Sequence, residues 1–252
     1  MPNHRLRDAF LRNGLTPASV AERLDVDPKT VERWVTQDRI PYPRYRHAIA
    51  AIVREGEEYL WPDAVSPEKA ARIGQSELIQ LYSRRIAVPN DLWHRLINRA
   101  ERHIDVLAYA GLFLVEQEPK LIDTLKEKAA AGVKIRILLG DPDSDAVKRR
   151  SIEEGAPDVM AAKIRNVMQY YDRLQGVKGV EVRHHRTTLY NSIYRFDEEM
   201  LVNAHVLGFP APHAPVMHLR KLAGGDLFGT YADSFDRVMS ASDPAWVKEV
   251  AA

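Results

Sequence analysis

The chain has 252 residues, 45% of them hydrophobic, which is enough for one large domain or two smaller ones built around real cores. With 36 basic residues against 35 acidic ones the formal charge is only +1, so any nucleic-acid binding must come from a local patch rather than a general positive field. The absence of cysteine excludes disulfides, thiolate catalysis and cysteine-ligated zinc.

The opening segment "MPNHRLRDAFLRNG" is charged and lacks the apolar core of a signal peptide. The most apolar stretch, "VLAYAGLFLV", is far short of the roughly 20 residues a membrane helix needs, and reads as a buried strand with its exit turn. A soluble, cytoplasmic protein with no membrane partner is the expectation.

Two helix-start signals follow one another in "LTPASVAERLDVDPKTVERWVTQDRIP". Thr16-Pro17 and Asp27-Pro28 each set a capping oxygen before a proline at the first helical position, where its missing N–H does no harm. Val20, Ala21 and Leu24 form one apolar face; Val31, Trp34 and Val35 form the next. Two short helices on the tight connection "LDVD" make a helix-turn-helix unit, with the small Ala21 where crossing helices come closest. On these residues, approximately positions 5 to 55 resemble XRE (Cro/C1-type) and MerR-like helix-turn-helix regulators. Asp25 stands where those families usually carry glycine, at a position that generally needs a positive φ.

The resemblance implies double-stranded DNA as partner, with the second helix, Pro28 to about Gln37, entering the major groove. Lys29, Thr30, Glu32, Arg33 and Thr36 lie on its outward side, because Val31, Trp34 and Val35 are needed for packing. Arg33 suits bidentate reading of guanine, and Glu32 suits cytosine N4 or a solvated position. Arg5, Arg7, Arg39, Arg44 and Arg46 would contact phosphate, which positions the domain without reading sequence. Charges nearly balance over residues 1–62, so one module should bind modestly and a homodimer on two half-sites is expected.

Acidic residues, Pro62 and the Ser66-Pro67 helix start mark a boundary, giving domains of 1–60 and 86–252 joined by a linker, 61–85. Ala70, Ile73, Leu78, Leu81 and Tyr82 have helical spacing, which predicts a helix from Pro67 to about Arg85. It would be a connecting helix or a packed helix of the second domain.

Beyond residue 86, strand-like and helix-like segments alternate. "HIDVLAYAGLFL" reads as a strand, "PKLIDTLKEKAAAG" as a helix closed by Gly132, and "VKIRILLGDP" as a second buried strand. "AAKIRNVMQYYDRLQG" is another helix, followed by strands in "VEVRHHRTTLYNSIYRF", "EMLVNAHVLG" and "APVMHLRKL", and by an amphipathic helix in "LFGTYADSFDRVMSAS". The fold class expected is α/β: a small all-α domain followed by an α/β sandwich with a mixed sheet.

The order of these pieces resembles a phospholipase D-like domain over most of residues 86–242, including the "AAAGVKIRILLGDP" unit and the hairpin in "LYNSIYRFDEEMLVNAHVLG". That family's strand motif is a histidine, any residue, a lysine, four residues and an aspartate. Here Asp197 is present, but Tyr190 and Ser192 stand at the other two places. A tyrosine with a pKa near about 10 is a poor nucleophile at neutral pH, and Ser192 has no evident activating base in the sequence. The resemblance therefore implies a catalytically degenerate domain that senses a ligand or holds a dimer, in a protein that is not an enzyme. The alternative is a phosphodiesterase or nuclease brought to nucleic acid by its helix-turn-helix domain.

Strand alternation puts Asn203 with His205, His218 with Arg220, and Tyr190 with Ser192 and Tyr194. Buried polar groups must be hydrogen-bonded, to one another or to a ligand. His205, His218 and Arg220 would suit a small anion, phosphate by resemblance. "GDPDSDAVKRR" adds Asp141, Arg149 and Arg150 from a strand-end loop, or is a solvated charge run. The adjacent His184 and His185 point to opposite faces, and His205, His213 and His218 have no recognised ligand spacing, so no metal or other cofactor is called for.

Overall fold

The computed structural model describes residues 2–62, 75–222 and 224–246. The chain divides into two compact units, Met1–Glu77 with Lys221–Gly229, and Leu78–Arg220 with Thr230–Ala252.

The described residues of the first unit include the helices α1 (His4–Arg12), α2 (Pro17–Leu24), α3 (Pro28–Thr36), α4 (Pro43–Val53) and α5 (Glu57–Leu60). Thr16 accepts from the Ser19 N–H while Ser19 returns a bond to the Thr16 backbone, a reciprocal cap at the start of α2. Asp27 caps α3 through the Lys29 N–H at 2.8 Å. Between them Asp25 adopts the left-handed conformation at φ 52°, which aspartate tolerates better than most residues with a Cβ. Ala21 and Val31 are fully buried, and Leu6, Val20, Trp34 and Ile49 complete the core around them. Asn3 closes this bundle: its backbone N–H bonds the Val35 carbonyl at 2.7 Å and its amide bonds that of Leu60 at 2.8 Å.

The second unit is built on an eight-stranded mixed sheet: β1 (Leu78–Tyr82), β2 (His103–Ala108), β3 (Lys134–Gly140), β4 (Val180–His185), β5 (Asn191–Phe196), β6 (Glu199–Ala204), β7 (Val216–Arg220) and β8 (Asp243–Pro244), in the order β1-β7-β6-β5-β2-β3-β4-β8. β2, β3 and β4 run parallel, and every other pairing is antiparallel. Period-two alternation sorts the side chains. Val106, Ile135, Ile137, Tyr194 and Leu201 share a core with α6 (Asn90–Arg99), α7 (Leu112–Gln117), α8 (Leu121–Ala130) and α10 (Val159–Tyr171). On the opposite face Asp105 faces Arg136 and Arg195 in directly paired positions. There α11 (Leu227–Ser240) sets Phe235 under the Arg136 guanidinium at 4.6 Å.

Three expectations need correcting. Leu78–Tyr82, read as part of a helix, is the edge strand β1, because pairing with β7 overrides the local spacing; residues 67–74 of that reading lie outside the described residues. The strand read through "GLFL" stops at Ala108: Gly111, at φ 64°, turns the chain and α7 follows. Short apolar runs do not distinguish the two by pattern alone. The strand-end charge run is largely the helix α9 (Asp145–Glu153), started by Ser144, whose side chain accepts from the Val147 N–H. Among the described residues no helix is long and apolar enough to cross a membrane.

Asp105 is 1% exposed and both its oxygens are held by Arg136, at 2.7 Å each, with Arg195 at 3.5 Å. Arg136→Met leaves that buried carboxylate with only the more distant Arg195 and should cost about 3–5 kcal/mol of stability in urea unfolding. Adding Asp105→Leu should recover part of the loss, since it removes the buried carboxylate but also takes the ion-pair partner from Arg195.

Candidate functional site

Two surfaces carry chemistry, one in each unit. On α3, Val31, Trp34 and Val35 face inward and are buried, and Trp34 packs on Tyr45 with ring centroids 5.6 Å apart. That leaves Lys29, Glu32, Arg33 and Thr36 exposed on the outer side, with Thr30 half-buried. The Thr36 hydroxyl donates back to the Glu32 carbonyl at 2.7 Å. Arg39 and Arg44 are exposed, and Arg44 is steadied by Tyr45, its guanidinium 4.5 Å from the ring centroid. Two of the expected phosphate contacts are already employed. Arg46 bonds Glu57 at 3.1 Å and the Pro41 carbonyl at 3.2 Å, and Arg5 bonds the Tyr59 carbonyl at 3.0 Å. In this structure both tie parts of the helical unit together.

In the sheet unit a cavity of ≈ 230 Å³ opens beside the ends of β2 and β5. Ser192, Tyr194 and His205 line it together with Tyr109, Phe113 and Arg85. Ser192 and Tyr194 come from alternate positions of β5, and His205 follows β6 directly, its backbone N–H bonded to the Tyr190 carbonyl just before β5. Tyr109 stacks on the His205 ring with centroids 5.4 Å apart. The Leu189 carbonyl lies 3.1 Å from His205 Nδ1, and Ser192 Oγ lies 3.0 Å from Nε2. With Nδ1–H donating to the carbonyl, Nε2 is the acceptor and the serine hydroxyl donates to it. Burial, followed by the charge of Arg150, depresses the His205 pKa to about 4, so the ring is neutral at pH 7. Ser192 thus has the neighbouring base that the sequence did not reveal.

Of the other residues expected around a ligand, Arg150 alone lines the cavity. Tyr190 is 83% exposed and does not line the cavity. Asn203 is buried, but its amide N–H groups serve the Ala214 and Pro215 carbonyls. His218 bonds Glu199 at 2.7 Å, and Arg220 pairs in register with the same Glu199, at the far end of β6 from His205. His205, His218 and Arg220 therefore form no common anion site. Asp141 is engaged by Arg186 at 2.8 Å and by the Asp143 N–H. Arg150 lines the cavity but is tied to Glu154 at 2.8 Å and to the Phe209 carbonyl at 2.9 Å.

Asp197, read from the sequence as the one matching position of the strand motif, has a backbone role. It sits at φ 52° in the β5–β6 turn, and its carboxylate accepts the N–H groups of Glu101, Arg102 and His103 at 2.7–2.9 Å. Partial burial opposes its charge, but those three N–H donors hold its pKa below the usual carboxylate value.

Sequence reasoning missed Arg85 and Tyr109. Neither "SRRIAVP" nor "VLAYAG" carries a motif, and only the fold brings the two residues beside β5.

No protein-family model and no curated protein matches the chain. Among solved structures it is similar to TrmBL2, described as an archaeal chromatin protein with a novel mode of DNA binding, at 13% identity and a TM-score of 0.42, covering 87% of this chain and 72% of that one. It is also similar to Nuc, a phospholipase D family member from Salmonella typhimurium, at 12% identity and a TM-score of 0.37, covering 62% of this chain and 90% of that one. Both likenesses are distant, and neither bears on what this chain does.

The neutral histidines make stability pH-dependent. Burial pushes both His185 and His205 down to about 4, whereas an unfolded histidine titrates near about 6.5. Between those values the unfolded chain binds protons that the folded chain refuses, so stability is complete above pH ~6.5 and falls as the pH drops towards ~4. In urea midpoints measured across this window, His205→Gln should flatten the slope, by at most about 1.4 kcal/mol per pH unit.

Proposed function

We propose that the protein is a sequence-reading DNA-binding regulator, working as a homodimer, whose sheet domain binds a small ligand and is not catalytic. The observation that carries the DNA reading is the division of α3. One side is locked into the bundle by Val31, Trp34 and Val35, and the other presents Lys29, Glu32, Arg33 and Thr36 to solvent. A short, rigidly seated helix with guanidinium, carboxylate and hydroxyl groups on its open side has the chemistry that base edges in a major groove require. Arg39 and Arg44, exposed near its C-terminal end, supply cations for phosphate. The near balance of charge over the unit argues for two modules acting together, each on a half-site.

For the sheet domain, the reading rests on a formed cavity with polar groups converging at its floor. Ligand binding would regulate by favouring one of two states that differ in DNA affinity, to the extent that the ligand's affinity differs between them. The Ser192–His205 hydrogen bond supports one competing reading, hydrolysis by an activated serine. Steady phosphodiester or ester hydrolysis that disappears in His205→Ala would favour that alternative.

Selection of bound duplexes from a random DNA library tests the main reading. The wild-type chain should enrich a palindromic or direct-repeat motif, and Arg33→Ala should lose it, because a good bidentate contact is worth about 1–3 kcal/mol of discrimination. Weak, motif-free binding unchanged by the mutation would remove the regulator reading.

A further inference from the structure

Arg85 is the unresolved charge of the sheet unit. Its guanidinium lies over the Phe113 ring, 3.7 Å from the centroid, and its Nε is buried without a hydrogen-bond partner. Among the described residues no carboxylate forms an ion pair with it. Burial lowers its pKa, with Tyr194 and Glu116 only partly restoring it. A half-buried cation in that state is costly unless something pairs with it. The other charges around the cavity are accounted for. Arg150 is ion-paired with Glu154 and Glu153, while Lys163 and Glu116 are both exposed at the rim, where Glu116 acts on Arg85 through space without forming an ion pair.

The floor needs nothing from a ligand. Ser192 donates to His205, and His205 donates to the Leu189 carbonyl. A ligand's charge therefore belongs at Arg85, and the rest of it lies against Tyr109, Leu112, Phe113, Met160 and Pro212. The cavity's ≈ 230 Å³ limits the ligand to a small molecule. One uncompensated guanidinium matches a single negative charge, and its planar fork fits a carboxylate edge to edge.

We propose that this cavity is the binding site for a small amphipathic carboxylic acid, an aromatic or branched apolar body carrying one carboxylate, with Arg85 as its counter-ion. The proposal rests on the reading that the sheet domain binds a ligand, and it names that ligand's class. Aromatic walls hold the body, and the cation–π contact with Phe113 pre-orients the guanidinium. Specificity comes from the unpaired charge: an uncharged analogue of the same shape leaves Arg85 buried and unmatched.

The test is calorimetric titration of the full chain with phenylacetate, benzoate and isovalerate, each beside its neutral primary amide, and with phenyl phosphate as the dianionic counterpart. At least one acid should bind with a sub-millimolar Kd and at least tenfold more tightly than its amide and than phenyl phosphate. Arg85→Gln should remove the acid-over-amide preference, and Arg85→Lys should restore part of it. The wild-type comparison stands even if a variant folds poorly. Equal binding of acid and amide, tighter binding of phenyl phosphate, or no acid bound at 5 mM would each overturn the proposal. Titrating the selected duplex with and without the bound acid separates the two claims. Acid binding that leaves DNA affinity unchanged sinks regulation by this ligand and keeps the site, and sequence-specific DNA binding with no acid bound sinks the site and keeps the DNA reading.

Discussion

Asp105 sits in the middle of the sheet with its carboxylate gripped by Arg136 from one neighbouring strand and approached by Arg195 from the other. A buried ion pair is a poor source of net stability, because desolvating the charges offsets most of their attraction. What it supplies here is register. A slip of one residue in β2 would carry the carboxylate to the opposite face, among Ile135, Ile137 and Tyr194, where no cation waits. With β2 fixed against β5, Tyr194 faces Val106, and Ser192 falls one alternation further along, against Asn203 of β6. His205 then follows within reach of the serine. The cavity's polar floor is thus a consequence of a charge cluster on the far side of the sheet.

Asp197 does comparable work at the edge of that arrangement. Folded back in a left-handed turn, it caps three consecutive backbone N–H groups at the entry to β2 and fastens the β5–β6 hairpin there. In the helical unit the equivalent constraint is Asn3, whose ties to Val35 and Leu60 hold the first helix against α3 and α5. α3 is therefore seated from behind, and its exposed residues stand on a rigid support.

Local chemistry explains what could be read from the residues alone. The starts of α2 and α3 were legible because a capping oxygen followed by proline acts within four residues and needs no tertiary help. The apolar strands β2 and β3 and the helices α8 and α10 showed themselves by composition and periodicity. Edge strand β1 did not, since its conformation is decided by β7, distant in sequence. For the same reason the motif frame located Asp197 without its backbone role, and His205 and Ser192 were both picked out but in different sets, without the hydrogen bond that joins them. Arg85 was beyond reach: its importance lies in what fails to pair with it, a property of the assembled sheet unit rather than of any segment.

The central claim is that α3 is the surface that meets DNA, and backbone amide hydrogen exchange on the full chain, with and without a selected duplex, tests it most directly. The account predicts slowed exchange over α3 and the turn that precedes it, with the interior of the sheet unchanged. Slowing confined to the sheet unit, with α3 exchanging as in the free protein, would contradict it.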